Sequence, residues 1–340
     1  MNHFGQLFSI TLYGESHQKN IGVVIEGVPP GITIDETLIK EDLAKRNPEL
    51  IGTTPRKEKD DFTITSGIFN QKSTGSAIHI TIENKDIKSK DYANLVNHPR
   101  PGHSDFVANN KYFGYNDYRG GGQFSGRLTA PLVIAGSIAK MIVPFTFQHS
   151  FKQIGTLKDM TKLDNYLKTI ESSGDSVGGI VHLEVKDIPI GLGEPLFNKI
   201  ESSISQMLFS IPAVKGVQFG TGFEGVNLKG SEFNDVIKNK EGQTNTNHAG
   251  GVSGGITNGN PLLLDVFIKP TSSIKKPQKT YNFDQQKMTE LVIEGRHDVA
   301  IVRRAPIVLE NAVAIVLTDF YLRYLSQQTY EKIDNKKQSG

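Results

Sequence analysis

Five short stretches rich in β-formers, Gln6 to Leu12, Phe62 to Phe69, Ala77 to Ile82, Ile180 to Val185 and Leu262 to Ile268, set apolar residues near a period of two. The early stretches follow one another too closely for helical crossovers, so antiparallel pairing is expected. Between and after them lie helical patterns. Thr37 to Arg46 has Asp35 as an N-cap and Pro48 just beyond its end, and Gly126 to Ile142, Leu196 to Phe209 and the apolar Leu309 to Leu325 come later in the chain. Runs of strands beside long helices predict an α+β layered fold and argue against a doubly wound sheet. No repeat or linker divides the chain, which predicts one domain over residues 1–326 and a polar, flexible tail over 327–340.

The composition of the 340 residues, 37% hydrophobic and 22% charged, is that of a globular protein. With 38 basic against 36 acidic residues the net charge is +2, too small a field to gather nucleic acid or an anionic membrane, so any anion binding must be local. The absence of cysteine excludes disulfides, thiolate nucleophiles and sulfur-ligated metals. Met1 to Tyr13 lacks the pattern of a signal peptide, and the apolar window Leu128 to Ala139 is too short to span a bilayer. The expectation is a cytoplasmic protein with no nucleic-acid or membrane partner.

Glycine, 34 of 340 residues, exceeds the usual ~7% and is clustered. Tight turns account for part of this, but Gly120-Gly121-Gly122 beside Arg119 fits a backbone that must approach something bulky. Nine arginines stand against 29 lysines, and all but Arg323 fall in or near Gly-, Pro- or His-containing segments. Guanidinium clamps phosphate and carboxylate bidentately, so this placement suggests a small polyanionic ligand, with ordinary salt bridging as the alternative at any single position.

Three histidines occur in loops beside charged residues: His17 after Gly14-Glu15-Ser16, His103 in Arg100-Pro101-Gly102-His103-Ser104-Asp105, and His297 between Arg296 and Asp298. Such groups suit general acid and base work near neutral pH. A metal-dependent phosphoesterase built on His17, His103, Asp105, His297 and Asp298 is the competing reading, but no HExxH or paired zinc spacing occurs. Gly220-Thr221-Gly222-Phe223-Glu224-Gly225 satisfies GxGxxG after a strand-like stretch, yet Val226-Asn227-Leu228 does not read as an opening helix, so a turn is expected. Lys269-Pro270-Thr271-Ser272-Ser273 sets an ammonium and three hydroxyls directly after a strand, suiting a phosphate end or a plain Ser/Thr turn.

Seven runs taken together resemble the chorismate synthase family. They are Gly14-Glu15-Ser16-His17, Gly27-Val28-Pro29-Pro30-Gly31, Arg100-Pro101-Gly102-His103, Tyr118-Arg119-Gly120-Gly121-Gly122, Asn247-His248-Ala249-Gly250-Gly251, Lys269 to Ser273, and Arg296-His297-Asp298. They stand in the family's order, and the similarity runs from about residue 5 to about residue 318. The resemblance implies a β-α-β sandwich of antiparallel sheets and helices, usually assembled as a homotetramer. It implies a lyase of the shikimate route to the aromatic amino acids, which forms chorismate from 5-enolpyruvylshikimate 3-phosphate by 1,4-elimination of phosphate. Reduced FMN (FMNH2) would be required, with NADPH acting indirectly through an external flavin reductase.

By the same resemblance His17 would be the proton donor on the substrate side, His103 would lie near the flavin, and Asp298 would assist proton removal through flavin N5. Arg46, Arg100 and Arg127 would contact substrate, and Arg46 also matches a position linked to NADP. Flavin contacts would be Gln123, Phe124, Ser125, Ala213, Gly254, Lys269, Pro270, Thr271, Ser272, Ser273 and Arg296, and no metal is implied. The chain departs from the commoner pattern at Gln18, Gly52, Gln123 and Pro212, and Arg56 is a candidate to replace the charge missing at Gly52.

Overall fold

The structure, a computed structural model, describes residues 2–46, 50–53, 60–85, 95–293 and 297–338, with side chains described to residue 328. Two antiparallel sheets enclose the main helices. The first has the order β1 (His3–Phe4), β2 (Ser9–Gly14), β3 (Asn20–Glu26), β7 (Ile78–Glu83), β4 (Phe62–Ser66). The short strands β5 (Ile68–Phe69) and β6 (Lys72–Ser73) pair beside it. β7 shows why the sequence makes this sheet: Ile78, Ile80 and Ile82 are all fully buried, while His79 and Thr81 alternate on the other face.

The second sheet has the order β10 (Val214–Phe219), β13 (Leu262–Ile268), β9 (Gly179–Lys186), β8 (Thr146–Ile154). Leu262, Leu264, Val266 and Ile268 of β13 face inward and are essentially sealed from solvent. Two hairpins, β11 (Val252–Ser253) with β12 (Ile256–Thr257) and β14 (Gln278–Asn282) with β15 (Lys287–Leu291), complete the strands.

Between the sheets, α3 (Thr129–Lys140) packs against β2, β3 and β7, and α7 (Ala305–Gln338) packs against β8 and β9. α1 (Glu36–Arg46) and α5 (Ile200–Ser210) flank this pair, and the shorter α2 (Asp105–Lys111), α4 (Leu163–Ser172) and α6 (Gly230–Phe233) lie outside it. Every residue of α3 from Ala130 to Ala139 is buried, as expected of a helix apolar on all sides. The close crossing with α7 needs a glycine: a Cβ on Gly136 would stand 2.3 Å from Asn311 Cβ and 2.5 Å from its carbonyl oxygen. The layers bear out the expected α+β class.

Several boundaries differ from expectation. Helix Gly126 to Ile142 opens as a 3-10 turn, Gly126–Leu128, because Ser125 caps Arg127 N–H, and Leu196 to Phe209 turns helical only at Ile200. α7 itself runs on through the polar residues to Gln338, a stretch without glycine or proline; residues 339–340 lie outside the described residues. Ile301–Gln328 is long and apolar enough to cross a membrane, a stretch unmarked by the window Leu128 to Ala139, but most of it is buried as the core of this sandwich.

A satellite cluster of Leu95, Leu291 and Ile293 seats the β14–β15 hairpin on the chain leading into Arg100. Phe283 N–H donates to Asn97 O at 2.8 Å and Thr280 Oγ1 to Pro99 O at 3.1 Å.

Candidate active site

The glycine run organises the site. Gly120, Gly121 and Gly122 all have positive φ, 58°, 82° and 51°, which a residue with a Cβ rarely adopts. A Cβ on Gly120 would stand 2.5 Å from His17 Nε2, and one on Gly121 would stand 3.8 Å from His103 Cε1 and 3.9 Å from its Nε2. Two histidines far apart in sequence therefore meet consecutive residues of one loop, whose Cα atoms are about 3.8 Å apart. His17 is buried, and its turn comes after β2 and is fastened by Ser16 N–H donating to Gly122 O at 3.2 Å.

On the His17 side lies a pair of buried arginines. Arg46, at the end of α1, donates to Asp60 Oδ2 through Nη2 at 2.6 Å, and Arg127 Nη1 donates to Asp60 Oδ1. Arg127 Nε also donates to Asn84 Oδ1 at 3.1 Å, and Asn84 Nδ2 donates to the carbonyls of Glu15 and Gln18 on either side of His17. Burial opposes ionisation of Asp60, but the two guanidiniums outweigh it and hold its carboxyl below the usual range. Asp60 thus ties the two arginines together at one point. Glu15 is pushed the other way, upward, by burial and by Asp117, against the pull of Arg119.

On the His103 side, Arg100 grips Asp105 with Nε at 2.7 Å and Nη2 at 2.8 Å, and its Nη1 donates to Ser273 Oγ at 3.1 Å. His103 Nδ1 stands 2.6 Å from Asp105 Oδ1. Burial raises the Asp105 carboxyl, but hydrogen bonds from Arg100 and His103 and their charges bring it well below the carboxylate range. Lys269 Nζ, at the end of β13, donates to Gly102 O at 2.6 Å and Ser272 Oγ at 2.7 Å. Both acceptors are neutral, and among the described residues no carboxylate pairs with this ammonium. Burial and then Lys215 press its pKa down, as expected of a cation lacking its counter-ion.

Most of the expected site residues gather here. Ala213, at φ 73°, accepts Lys269 N–H at 2.9 Å, which joins it to the run Lys269, Pro270, Thr271, Ser272, Ser273. Gln123, Phe124 and Ser125 come directly after the glycines, and Phe124 lines a cleft with Asp105, Tyr118 and Gly121. Asp298 accepts from Arg304 Nε at 3.0 Å, and its neighbour Val299 accepts from Val177 N–H; Ser176 in turn donates to Thr271 O, linking this segment to the Lys269 run.

Gly254 is the exception: its hairpin sits by Gly250, which pairs with Leu263 at the start of β13, whereas Lys269 lies beyond the strand's other end. Seven strand residues, about 23 Å, separate the two ends. Arg296 and Arg56 lie outside the described residues. Gly220 to Gly225 is a turn leading into a 3-10 segment, as expected. Among the described residues no three His, Asp or Glu side chains gather as a metal site.

Asp60, Asn84 and Asp105 as a partner of both Arg100 and His103 were not marked as site residues by the sequence. The Asp60-Asp61 pair embedded in a lysine- and arginine-rich stretch was the available signal for the first. Asn84 offered none.

Comparison with known proteins gives the family. The chorismate synthase family model matches residues 8–322. A chorismate synthase of Chitinophaga pinensis is 49% identical over 324 residues, covering 95% of this chain and 97% of the relative. One from Thermococcus gammatolerans is 42% identical over 345 residues, with 94% and 97% covered. A crystal structure of chorismate synthase superposes with a TM-score of 0.75 at 24% identity, covering 99% of this chain and all of the other, which speaks for the fold. The chain belongs to the chorismate synthase family of lyases.

Proposed function

We propose that the chain converts 5-enolpyruvylshikimate 3-phosphate into chorismate with reduced FMN bound, as a single catalytic unit over residues 1–326. The observation that carries this reading is the placement of His17 and His103 on consecutive glycines between two groups of cations, the Arg46–Arg127 pair and the Arg100–Lys269 group. Substrate and flavin each bear a phosphate, and the substrate adds two carboxylates. Buried guanidiniums compensate such charge where water cannot.

The flavin fits the residues present. Among the described residues Lys269 is a half-buried ammonium without a carboxylate partner, and Thr271 Oγ1 is buried with no hydrogen-bond partner, so a phosphate end would satisfy both. Lys269 to Ser273, Ala213, the Gln123-Phe124-Ser125 backbone and Arg296 would hold it. When bound, reduced FMN supplies electron density to the breaking carbon–oxygen bond. The chain's own part is to bind and to move protons. Arg46, Arg127 and Arg100 would orient the anionic substrate, His17 would give a proton to the departing phosphate, and the Asp298 carboxylate would assist removal of the proton lost at the other end of the allylic system. His103 would hold a proton beside the flavin.

NADPH would act only through an external flavin reductase. The reading further includes a homotetramer in the cytoplasm, with no nucleic-acid or membrane partner. The test is an anaerobic assay with dithionite-reduced FMN, following chorismate absorbance and released phosphate together. Equal release of both supports the reading; phosphate release without chorismate, or dependence on a divalent metal, overturns it in favour of a phosphoesterase. Chorismate formed from FMN and NADPH alone at the dithionite rate would overturn the external-reductase part.

A further inference from the structure

His103 has two neighbours competing for the same ring nitrogen. Asp105 Oδ1 lies 2.6 Å from Nδ1, and Arg100 Nη2 lies 3.1 Å from it. A guanidinium N–H can only donate and a carboxylate can only accept, so the two neighbours demand opposite tautomers. If Nδ1 accepts from Arg100, the proton sits on Nε2; if Nδ1 donates to Asp105, Nε2 is bare.

The distances decide between them. The carboxylate contact is the shorter and is charge-assisted, which makes it the stronger of the two. Arg100 is also already engaged, with Nε and Nη2 on Asp105 and Nη1 on Ser273. The Arg100 and Asp105 side chains are only 6% and 12% exposed, so their fields act in a low dielectric. The loop is closed a second time through its backbone, Arg100 N–H donating to Asp105 Oδ2 at 3.1 Å.

We propose that Asp105 is a positioning residue for His103: it accepts the Nδ1 proton, fixes the tautomer and ring orientation, and leaves Nε2 facing the Gly121 side of the loop as the atom that exchanges protons. Asp105 itself stays ionised throughout. This rests on His103 handling a proton in the reaction, but its first test does not.

Ring nitrogens of histidine-labelled full-length protein, read by NMR at about pH 8 where a neutral ring is the usual form, report the tautomer without any turnover. The wild type should show protonated Nδ1 at His103. In Asp105→Asn the freed Arg100 draws the new amide oxygen and presents the amide nitrogen to His103, so the proton should move to Nε2. Turnover should then fall roughly 100- to 10,000-fold with KM within a few-fold, the scale of a positioned acid or base set in the wrong tautomer. Asp105→Glu keeps an acceptor and should keep protonated Nδ1 and recover part of the rate. In a His103→Ala background, Asp105→Asn should cost less than about 3-fold more.

A wild-type ring protonated on Nε2 overturns the proposal with no variant needed. An Asp105→Asn penalty undiminished in His103→Ala overturns it too, leaving Asp105 as the counter-ion of Arg100. If the chain makes no chorismate, the proposed function fails while the ring-nitrogen result still decides the role of Asp105.

Discussion

Two largely enclosed carboxylates in this chain, Asp265 buried and Asp105 partly so, have nearly the same partners. Asp105 faces His103 Nδ1 at 2.6 Å and Arg100 Nε at 2.7 Å; Asp265 faces His182 Nδ1 at 2.7 Å and Lys152 Nζ at 2.5 Å, with Gln218 Nε2 at 2.9 Å. Their settings differ. The Asp265 partners come from neighbouring strands in register, Gln218 opposite Asp265, Asp265 opposite His182, His182 opposite Ser150. They form a polar rank across the outer face of the second sheet, where one cation answers one anion. The Asp105 partners come from a single loop, and around it stand backbone glycines at positive φ and a lysine that, among the described residues, has no carboxylate partner. An Asp–His contact alone therefore does not mark a working site. What sets the proposed site apart is the backbone of Gly121 beside the ring and the nearby Lys269 ammonium on neutral acceptors.

The sharpest way to break this comparison is to remove the rings. His103→Ala and His17→Ala should each lower turnover by roughly two to four orders of magnitude, the usual scale for a positioned acid or base. His182→Ala should leave turnover with reduced FMN within about 2-fold. Steady-state rates on the three purified variants decide it, and a His182→Ala loss as large as the others would erase the distinction.

The backbone makes a finer cut. Gly120→Ala puts a methyl 2.5 Å from the His17 ring at φ 58°, so either the ring or the loop must shift. A displacement near 1 Å in such a site costs about 100-fold in rate. Gly216→Ala, on the outer face of the second sheet, meets nothing closer than Phe267 Cβ at 3.4 Å and should leave the rate unchanged. Comparable rates for the two variants would mean that the glycine loop is not what holds His17.

Legibility in the sequence divides along the same line. Leu262 to Ile268 matches β13 to the residue, because alternate positions face a dry core and a period of two is the direct record of that. β10 stood out only as the strand-like stretch before Gly220: Val214–Phe219 contains Gly216 and Lys215, and its strand form comes from lying along β13. The β14–β15 hairpin is polar and leans on Asn97, His98 and Pro99 from far back in the chain, which no local pattern records. In the site, the histidines, glycines and arginines stood out by residue type and by the family resemblance. Asp60 did not, since its importance lies in joining Arg46 to Arg127, residues 81 positions apart in sequence. Long-range pairing by one small carboxylate leaves no periodicity to read.

The smallest expected effect belongs to the structural partner of the comparison, and it is one of pH. Burial disfavours the Asp265 anion, but hydrogen bonds from His182, Lys152 and Gln218 outweigh burial and hold its pKa at about 2. The ordinary value in an unfolded chain is about 3.9, so the folded state binds this proton less tightly than the unfolded state does. Its contribution to stability is therefore complete above about pH 4, declines as acid is added, and is gone once pH falls through about 2. Its full size is on the order of 2 to 3 kcal/mol. Asp265→Asn should unfold at lower denaturant than the wild type at pH 7, with turnover preserved, and the gap between the two should close between about pH 4 and pH 2. Urea titrations of both proteins at pH 7, 4 and 2.5 measure it. A gap that stays constant down to pH 2.5 would mean that the variant loses packing in the rank rather than the charge of Asp265.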